Sequence, residues 1–579
     1  MRRLVGYLRR YRLRYALGGL FLLATATLAM AIPYLLKQAI DTISTGGDYR
    51  RVTEYVAWII GLAAAQAVVR TLSRSLIFNV GRDVEYDLRN DLFAHLQKLP
   101  LEFYQRQQTG DLMSRLVNDV TAVRMLLGVG VLNLVNTPIY YAYAVGIMLS
   151  LDARLTVAAL LPYPLLLLAV KHFSRKLMEY TLRVQEGLAD LSSRAQENLS
   201  GMHVIRAYDA DQREIDAFVS ANERFKKHSM DLARVRGQLF PVMRTAASLG
   251  TLVVFAYGGR HVIEGRLSLG DLVAFIGYLN LLAWPTMAMG WMLSILQRGR
   301  AAMQRLEMVL QTKPAIDDPE SVTALPTVRG HVEYRDVHFS YAHNGTHGTV
   351  LKGVSVALEP GQMLGLVGRT GAGKTTMASL LPRLFDVTSG EVLLDGRDVR
   401  SLPLEQLRRS IGFVPQDPFL FSRTVRDNIA FGVDSADDAA IQRAATVAGL
   451  ATDIAALPRG YDTIVGERGI TLSGGQKQRI TLARVALAAP PVLVLDDALS
   501  SVDTRTERAI LEALREVLRD RTSIVIAHRI STIQQADVIA VIEDGRIAEI
   551  GNHDSLLAHD GLYAALYRQQ SLEEEIAEL

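Results

Sequence analysis

GRTGAGKT, running from Gly368 to Thr375, fits G-x-x-x-x-G-K-[ST] at every fixed position. The spacing reads as a phosphate-binding loop. Glycines let backbone N–H groups close around phosphate oxygens at the positive start of a helix, Lys374 adds charge, and Thr375 offers a hydroxyl for Mg²⁺. The preceding LGLVG reads as a buried strand and the residues from Lys374 onward as a helix, which is the context the motif requires. Gly368, Arg369, Thr370, Gly371, Ala372, Gly373, Lys374, Thr375 and Thr376 are therefore the candidate nucleotide-binding residues. Downstream, PPVLVLDD is a buried-strand pattern ending in Asp496, suited to hold Mg²⁺ directly or through water, with Asp497 immediately after it. Between the two lies LSGGQKQR, Leu472 to Arg479. Its Ser473, Gly474, Gly475 and Gln476 open a helix and offer a second set of backbone donors for phosphate.

Outside this region the composition changes. At 579 residues the chain is too long for one core, and a mean hydropathy of +0.15 averages an apolar first half with a polar second half. A net charge of +3, from 63 basic and 60 acidic residues scattered along the chain, gives no nucleic-acid footprint. The absence of cysteine removes disulfides, thiolate metal sites and cysteine nucleophiles.

The first half predicts six membrane-spanning helices, at Tyr15–Leu36, Val56–Leu76, Met125–Leu149, Leu155–Val170, Pro241–Ile263 and Leu269–Ile295. Arg2, Arg3, Arg9, Arg10, Arg12 and Arg14 precede the first span, which keeps the N-terminus cytoplasmic. The long connections Arg82–Arg124 and Lys171–Arg236 then fall inside, rich in Arg and Lys, and short ones such as Ser150–Arg154 fall outside. The sixth span combines Asn280, Trp284, Met287, Met289, Trp291 and Met292, a soft lining that suits varied apolar ligands, or else ordinary helix packing. No span carries Asp, Glu or Lys near its middle, which argues against an ion or proton relay. The polar, proline-punctuated stretch after Lys313 reads as a linker over 313–329, which sets domains at 1–312 and 330–579.

GRTGAGKT, LSGGQ, Asp496 in its strand and His528 in IVIAHR, in that order, resemble the ATP-binding cassette of ABC transporters. Six spans followed by one cassette resemble a half-transporter of the type IV exporter class. The resemblance implies an all-α six-helix transmembrane domain fused to an α/β phosphate-loop cassette with an antiparallel β subdomain and a helical subdomain. It also implies ATP and Mg²⁺ as ligands, with Thr375, Gln416 and Asp496 at the metal. By the same resemblance Tyr341 stacks on adenine, Gln416 senses Mg²⁺ and the membrane domain, and Asp503 of SSVD lies in the loop usually written SALD and binds nucleotide. His528 is the switch histidine at the γ-phosphate, Thr463–Gly469 is a loop ahead of the signature, and stretches from Thr109 and Gly201 are coupling regions. An inner (plasma) membrane location with cytoplasmic cassette follows from the topology.

One departure stands out. The family normally places glutamate after the strand aspartate to polarise the attacking water, and this chain has Asp497. A working base must come within about 2.6–3.2 Å of its proton, and aspartate is shorter by about one C–C bond. A loss of about 3–4 kcal/mol in transition-state stabilisation slows the step by two to three orders of magnitude. One cassette per chain implies a dimer, so the expectation is a heterodimer. In it this chain forms a degenerate site and lends Ser473, Gly474 and Gly475 to a second half-transporter that carries the catalytic glutamate. The expected cargo is a hydrophobic or amphipathic small molecule, lipid or peptide. The alternatives are a homodimeric lipid or drug flippase and an ATP-gated channel or sensor. An importer is disfavoured because spans and cassette are fused.

Overall fold

The computed structural model describes residues 2–318, 324–341, 348–466, 469, 472–498, 521–527 and 529–578. The chain divides into two compact units, one of Met1–Gln97 with Gln108–Thr312, the other of Lys98–Gln107 with Lys313–Leu579.

The described residues of the first unit are helical. A short helix Arg2–Arg10 leads into Arg12–Ser44, Tyr49–Leu96, a run from Thr109 to Leu151, Ala153–Leu160, Tyr163–Ser200, a run from Asp211 to Ile263, and Leu269–Gln311. Among the described residues four of these, Arg12–Ser44, Tyr49–Leu96, Thr109–Leu151 and Leu269–Gln311, are long and apolar enough to cross a membrane. The 48-residue helix Tyr49–Leu96 is about 72 Å long at 1.5 Å per residue, more than twice a hydrocarbon core of about 30 Å. The span anticipated over Leu155–Val170 is not one helix. Ala153–Leu160 ends in a turn at Leu161 and Pro162, and a new helix starts at Tyr163 with Pro164 in its first turn. Proline has no N–H to continue a helix but fits the first turn of the next, which explains the break.

Pro33 lies inside Arg12–Ser44, and the fully buried Tyr278 of Leu269–Gln311 donates its hydroxyl to the Met30 carbonyl at 3.2 Å, three residues before the proline. At the other end of the first long helix, Asp41 accepts hydrogen bonds from the Gly270 N–H and the Ser268 hydroxyl, both at 2.9 Å, and Lys37 pairs with Asp271 at 2.6 Å. A Cβ added at Gly270 would stand 2.4 Å from the Lys37 carbonyl oxygen, so this approach admits only glycine.

The second unit holds ten strands among its described residues: β1 (Val332–Ser340), β2 (Thr349–Leu358), β3 (Met363–Val367), β4 (Ser389–Leu394), β5 (Arg397–Asp398), β6 (Ile411–Val414), β7 (Val492–Asp496), β8 (Thr522–Ile526), β9 (Val538–Glu543) and β10 (Arg546–Gly551). They form an antiparallel sheet in the order β2-β1-β4-β5 and a six-stranded sheet in the order β10-β9-β3-β8-β7-β6, parallel except for the β9–β10 pair. Strand β7 explains how the second sheet is sandwiched. Val492 and Val494 belong to the core shared with Val332, Tyr334 and Val354 of the antiparallel sheet, whereas Leu493 and Leu495 join the core built with Val414, Ile441 and Ile480. Burial on both faces is why this strand reads as an unbroken apolar run.

Candidate functional site

The loop from Gly368 to Gly373 leaves the end of β3 and turns straight into the helix Lys374–Leu380. Its backbone takes shapes that side chains resist. Gly368 has φ +149°, and a Cβ there would fall 2.2 Å from the Ile542 carbonyl oxygen; Gly373 has φ +109°, and a Cβ there would fall 2.8 Å from Leu351 Cδ2. No side chain caps the helix that follows, so its leading N–H groups point into the cradle without a capping oxygen. Lys374, 7 % exposed, folds back and donates from Nζ to the carbonyl oxygens of Gly368 at 2.7 Å and Arg369 at 3.0 Å. Burial holds its ammonium below the ordinary lysine value, and the nearby Asp496 and Asp497 carboxylates oppose that depression. The cradle, the inward cation and the uncapped helix start fit an anionic phosphate chain.

Thr375 extends the site toward β7. Its hydroxyl donates to Asp496 Oδ1 at 3.1 Å, across the phosphate-loop helix and the end of the strand. A hydroxyl and a carboxylate with only oxygen donors fit a hard divalent cation. Asp496 is 2 % exposed and continues the strand, pairing with Ile526. Asp497 is 8 % exposed, and its N–H donates to the Ile526 carbonyl at 2.9 Å while its backbone has already turned to φ +49°. Aspartate is among the few non-glycine residues that enter this left-handed region readily; a longer, unfunctionalised stem is disfavoured there. The two adjacent carboxylates therefore leave the strand in different directions, one extended and one turned.

Tyr341, just after β1, donates to or accepts from the Thr376 hydroxyl at 3.1 Å, and its ring meets Phe339 and Phe385 edge-on at 4.7 and 5.3 Å. Gln416 is exposed two residues beyond β6, whose Val414 lies beside Leu495 of β7, so it stands on the same strand-end edge as Asp496. Ser473, Gly474, Gly475 and Gln476 start the helix Gly474–Ala488. Here the hydrogen bonds close on the segment itself: Gln476 N–H donates to Ser473 Oγ at 3.2 Å, and Ser473 N–H donates to Gln476 Oε1 at 3.0 Å. Among the described residues this segment makes no hydrogen bond to the phosphate loop. Asp503 and His528 lie outside the described residues, as do Glu467 and Arg468 of the Thr463–Gly469 loop. The rest of that loop is tied down by Val425 N–H to the Thr463 carbonyl and Val465 N–H to the Arg423 carbonyl, both at 3.0 Å.

Two supporting residues escaped the motif reading. Asp453 accepts from Gln476 Nε2 at 3.1 Å and pairs with Arg479 at 2.7 Å, fixing the signature helix from a neighbouring short helix. Tyr334, fully buried, donates to the Met377 carbonyl at 3.2 Å and fixes the phosphate-loop helix to the antiparallel sheet. Asp453 sits in no motif, and Tyr334 could have been found only as an inward position of an alternating strand.

Family models match the chain at two places, the ABC transporter transmembrane region over residues 15–286 and the ABC transporter over residues 351–500. The multidrug resistance-like ATP-binding protein MdlA of Escherichia coli (strain K12) is 37% identical over 573 residues, which cover 98% of this chain and 96% of that protein. The ATP-dependent lipid A-core flippase of Syntrophus aciditrophicus (strain SB) is 33% identical over 581 residues, covering 100% of this chain and 95% of that protein. A solved structure of a bacterial Atm1-family ABC exporter with ATP bound superposes with a TM-score of 0.80 at 31% identity, covering 97% of this chain and 98% of that one.

Proposed function

Since this chain belongs to the ABC transporter family, as an ATP-driven membrane exporter of the multidrug and lipid class, we propose that it works as one half of a heterodimer with a degenerate nucleotide site of its own. The observation that carries this reading is Asp497, in place of the glutamate expected after the strand aspartate. The turned backbone at φ +49° supports it, because it suits the shorter residue.

In this reading Lys374 and the amides of Gly368 to Thr375 bind and orient the phosphates of ATP, while Thr375, Asp496 and Gln416 hold the metal. When bound, magnesium neutralises charge on the terminal phosphates and ATP supplies the differential binding energy between transport states. Tyr341 flanks the base, Asp503 and His528 complete the contacts, and Asp497 lies too far from the attacking water to polarise it. Ser473, Gly474, Gly475 and Gln476 serve the partner's site. The segments at Thr109 and Gly201 transmit cassette movement to six spans in the inner membrane, with cassette and N-terminus in the cytoplasm.

A second reading, a homodimeric lipid or drug flippase, is favoured by one specific likeness, the 33% identity to a lipid A-core flippase over the full chain. ATP turnover by the chain purified alone separates the two. The heterodimer reading expects slow hydrolysis that rises when a glutamate-bearing half-transporter is added. Brisk hydrolysis by this polypeptide paired only with itself would replace it with the homodimer.

A further inference from the structure

The amide of Gln476 could be turned end for end without changing its shape, and only one of the two orientations completes the helix start at Ser473. In that orientation Oε1 accepts from the Ser473 N–H at 3.0 Å and Nε2 donates to Asp453 Oδ1 at 3.1 Å. Turned over, the amide would set its NH₂ against the Ser473 N–H, donor against donor, and the reciprocal bond would be lost. An ionised carboxylate accepts and cannot donate, so Asp453 admits the nitrogen alone and thereby fixes which atom faces Ser473. The second oxygen of Asp453 is held by Arg479 at 2.7 Å, three residues along the helix Gly474–Ala488 and so on the same face as Gln476.

Asp453 does not owe its place to these partners. Leu450 and Ile454, on either side of it in the chain, are buried in the apolar core that also holds Ile480 and Leu482 of the signature helix. Packing sets the carboxylate, and the amide answers to it. The result is directed outward. Ser473 and Gly474 are exposed, and because Ser473 Oγ accepts from the Gln476 N–H at 3.2 Å, its own hydrogen points away from the helix. A bare carboxylate beside this edge would repel a phosphate, and the Arg479 guanidinium balances it. A capping box alone would hold the helix start together without either charge. What the added pair supplies is a single orientation of the Ser473 donors.

We propose that Asp453 is a positioning residue for hydrolysis at the facing cassette. Through Gln476 it holds the Ser473 hydroxyl and the N–H groups behind it in the one arrangement that meets the terminal phosphate of a nucleotide bound there. The inference rests on the reading that Ser473, Gly474, Gly475 and Gln476 serve the partner's site, and adds to it a residue that touches no nucleotide.

The test measures ATP turnover and thermal unfolding of the assembled transporter. Asp453→Ala lowers kcat about tenfold, the scale of one lost charge-assisted hydrogen bond. KM for ATP stays within about twofold, because the donors matter most when charge develops on the phosphate. Gln476→Glu alone sets carboxylate against carboxylate and lowers kcat at least as far. Gln476→Glu together with Asp453→Asn reverses the polarity of the pair: the introduced amide donates to the glutamate, which still accepts from the Ser473 N–H, and most of kcat returns. Where Asp453→Ala fails to assemble, the single and double variants at Gln476 carry the test, since the double one keeps the net charge. Full kcat in Asp453→Ala, or a double variant that regains the unfolding midpoint without regaining kcat, overturns the proposal. Ser473→Ala in the same assay separates the two claims. If it lowers turnover and Asp453→Ala does not, the positioning role alone is wrong; if it leaves turnover intact, the reading of the segment falls and the positioning role with it.

Discussion

Two helix starts in the second unit carry backbone donors, and they are finished in opposite ways. The helix Lys374–Leu380 begins at Gly373 with no side-chain cap, and a buried lysine is turned onto the loop carbonyls. The helix Gly474–Ala488 begins at Ser473 with a complete capping box, and its glutamine is also held by Asp453. The first is an incomplete site that needs an anion to finish it; the second is complete before any ligand arrives. A phosphate can therefore be gripped by the loop alone, whereas Ser473 must share or exchange its cap to contact one. This asymmetry suits a division of labour in which one segment captures nucleotide and the other is presented to a second cassette.

The largest effect should come from Asp497→Glu. If reach alone limits the chain's own site, ATP turnover of the purified chain rises by about two orders of magnitude, and the left-handed backbone opposes the gain by about 1 kcal/mol. An unchanged rate would mean that the turned backbone, and not carboxylate length, silences the site. Lys374→Ala should lower affinity for a fluorescent ATP analogue about a hundredfold, since hydrogen bonds to charged groups contribute about 1.5–3 kcal/mol each. The same assay on Ser473→Ala should show little loss in the isolated chain, with turnover falling only in the assembled transporter; equal losses in both would erase the contrast between the two helix starts. Gly373→Ala should destabilise the unit by about 1–3 kcal/mol through its positive φ, read as a lower midpoint in denaturant, whereas Ser473→Ala should cost about 1 kcal/mol for its lost cap. The smallest effect concerns pH. Because burial depresses the Lys374 ammonium below the lysine value of about 10.4, the folded chain releases that proton at lower pH than the unfolded chain. Stability then rises with pH across the interval between the two values, while nucleotide affinity falls there as the charge is lost; thermal midpoints and nucleotide titrations at alkaline pH should move in opposite directions.

How much of this could be read from the chain varied with how local the cause was. Gly368 to Thr375 was legible because the spacing itself encodes the backbone shape, and β7 was legible because burial on both faces leaves an uninterrupted apolar run. The break at Leu161 and Pro162 was missed because apolar residues continue on both sides of it, so hydropathy saw one span where proline makes two helices. Nothing in KLPLEFYQRQ marks Lys98–Gln107 as part of the same unit as the cassette, since that grouping is set by tertiary placement. The positive φ at Asp497 has no sequence signature beyond the residue type, and the aspartate was read for its length alone.

The contact of Asp41 with Ser268 and Gly270 joins positions 227 and 229 residues apart. Closing a loop of that size in a flexible chain costs about 5 kcal/mol in entropy, more than two hydrogen bonds and the Lys37–Asp271 ion pair offset by themselves. The contact therefore depends on the intervening helices, whose packing shortens the effective loop.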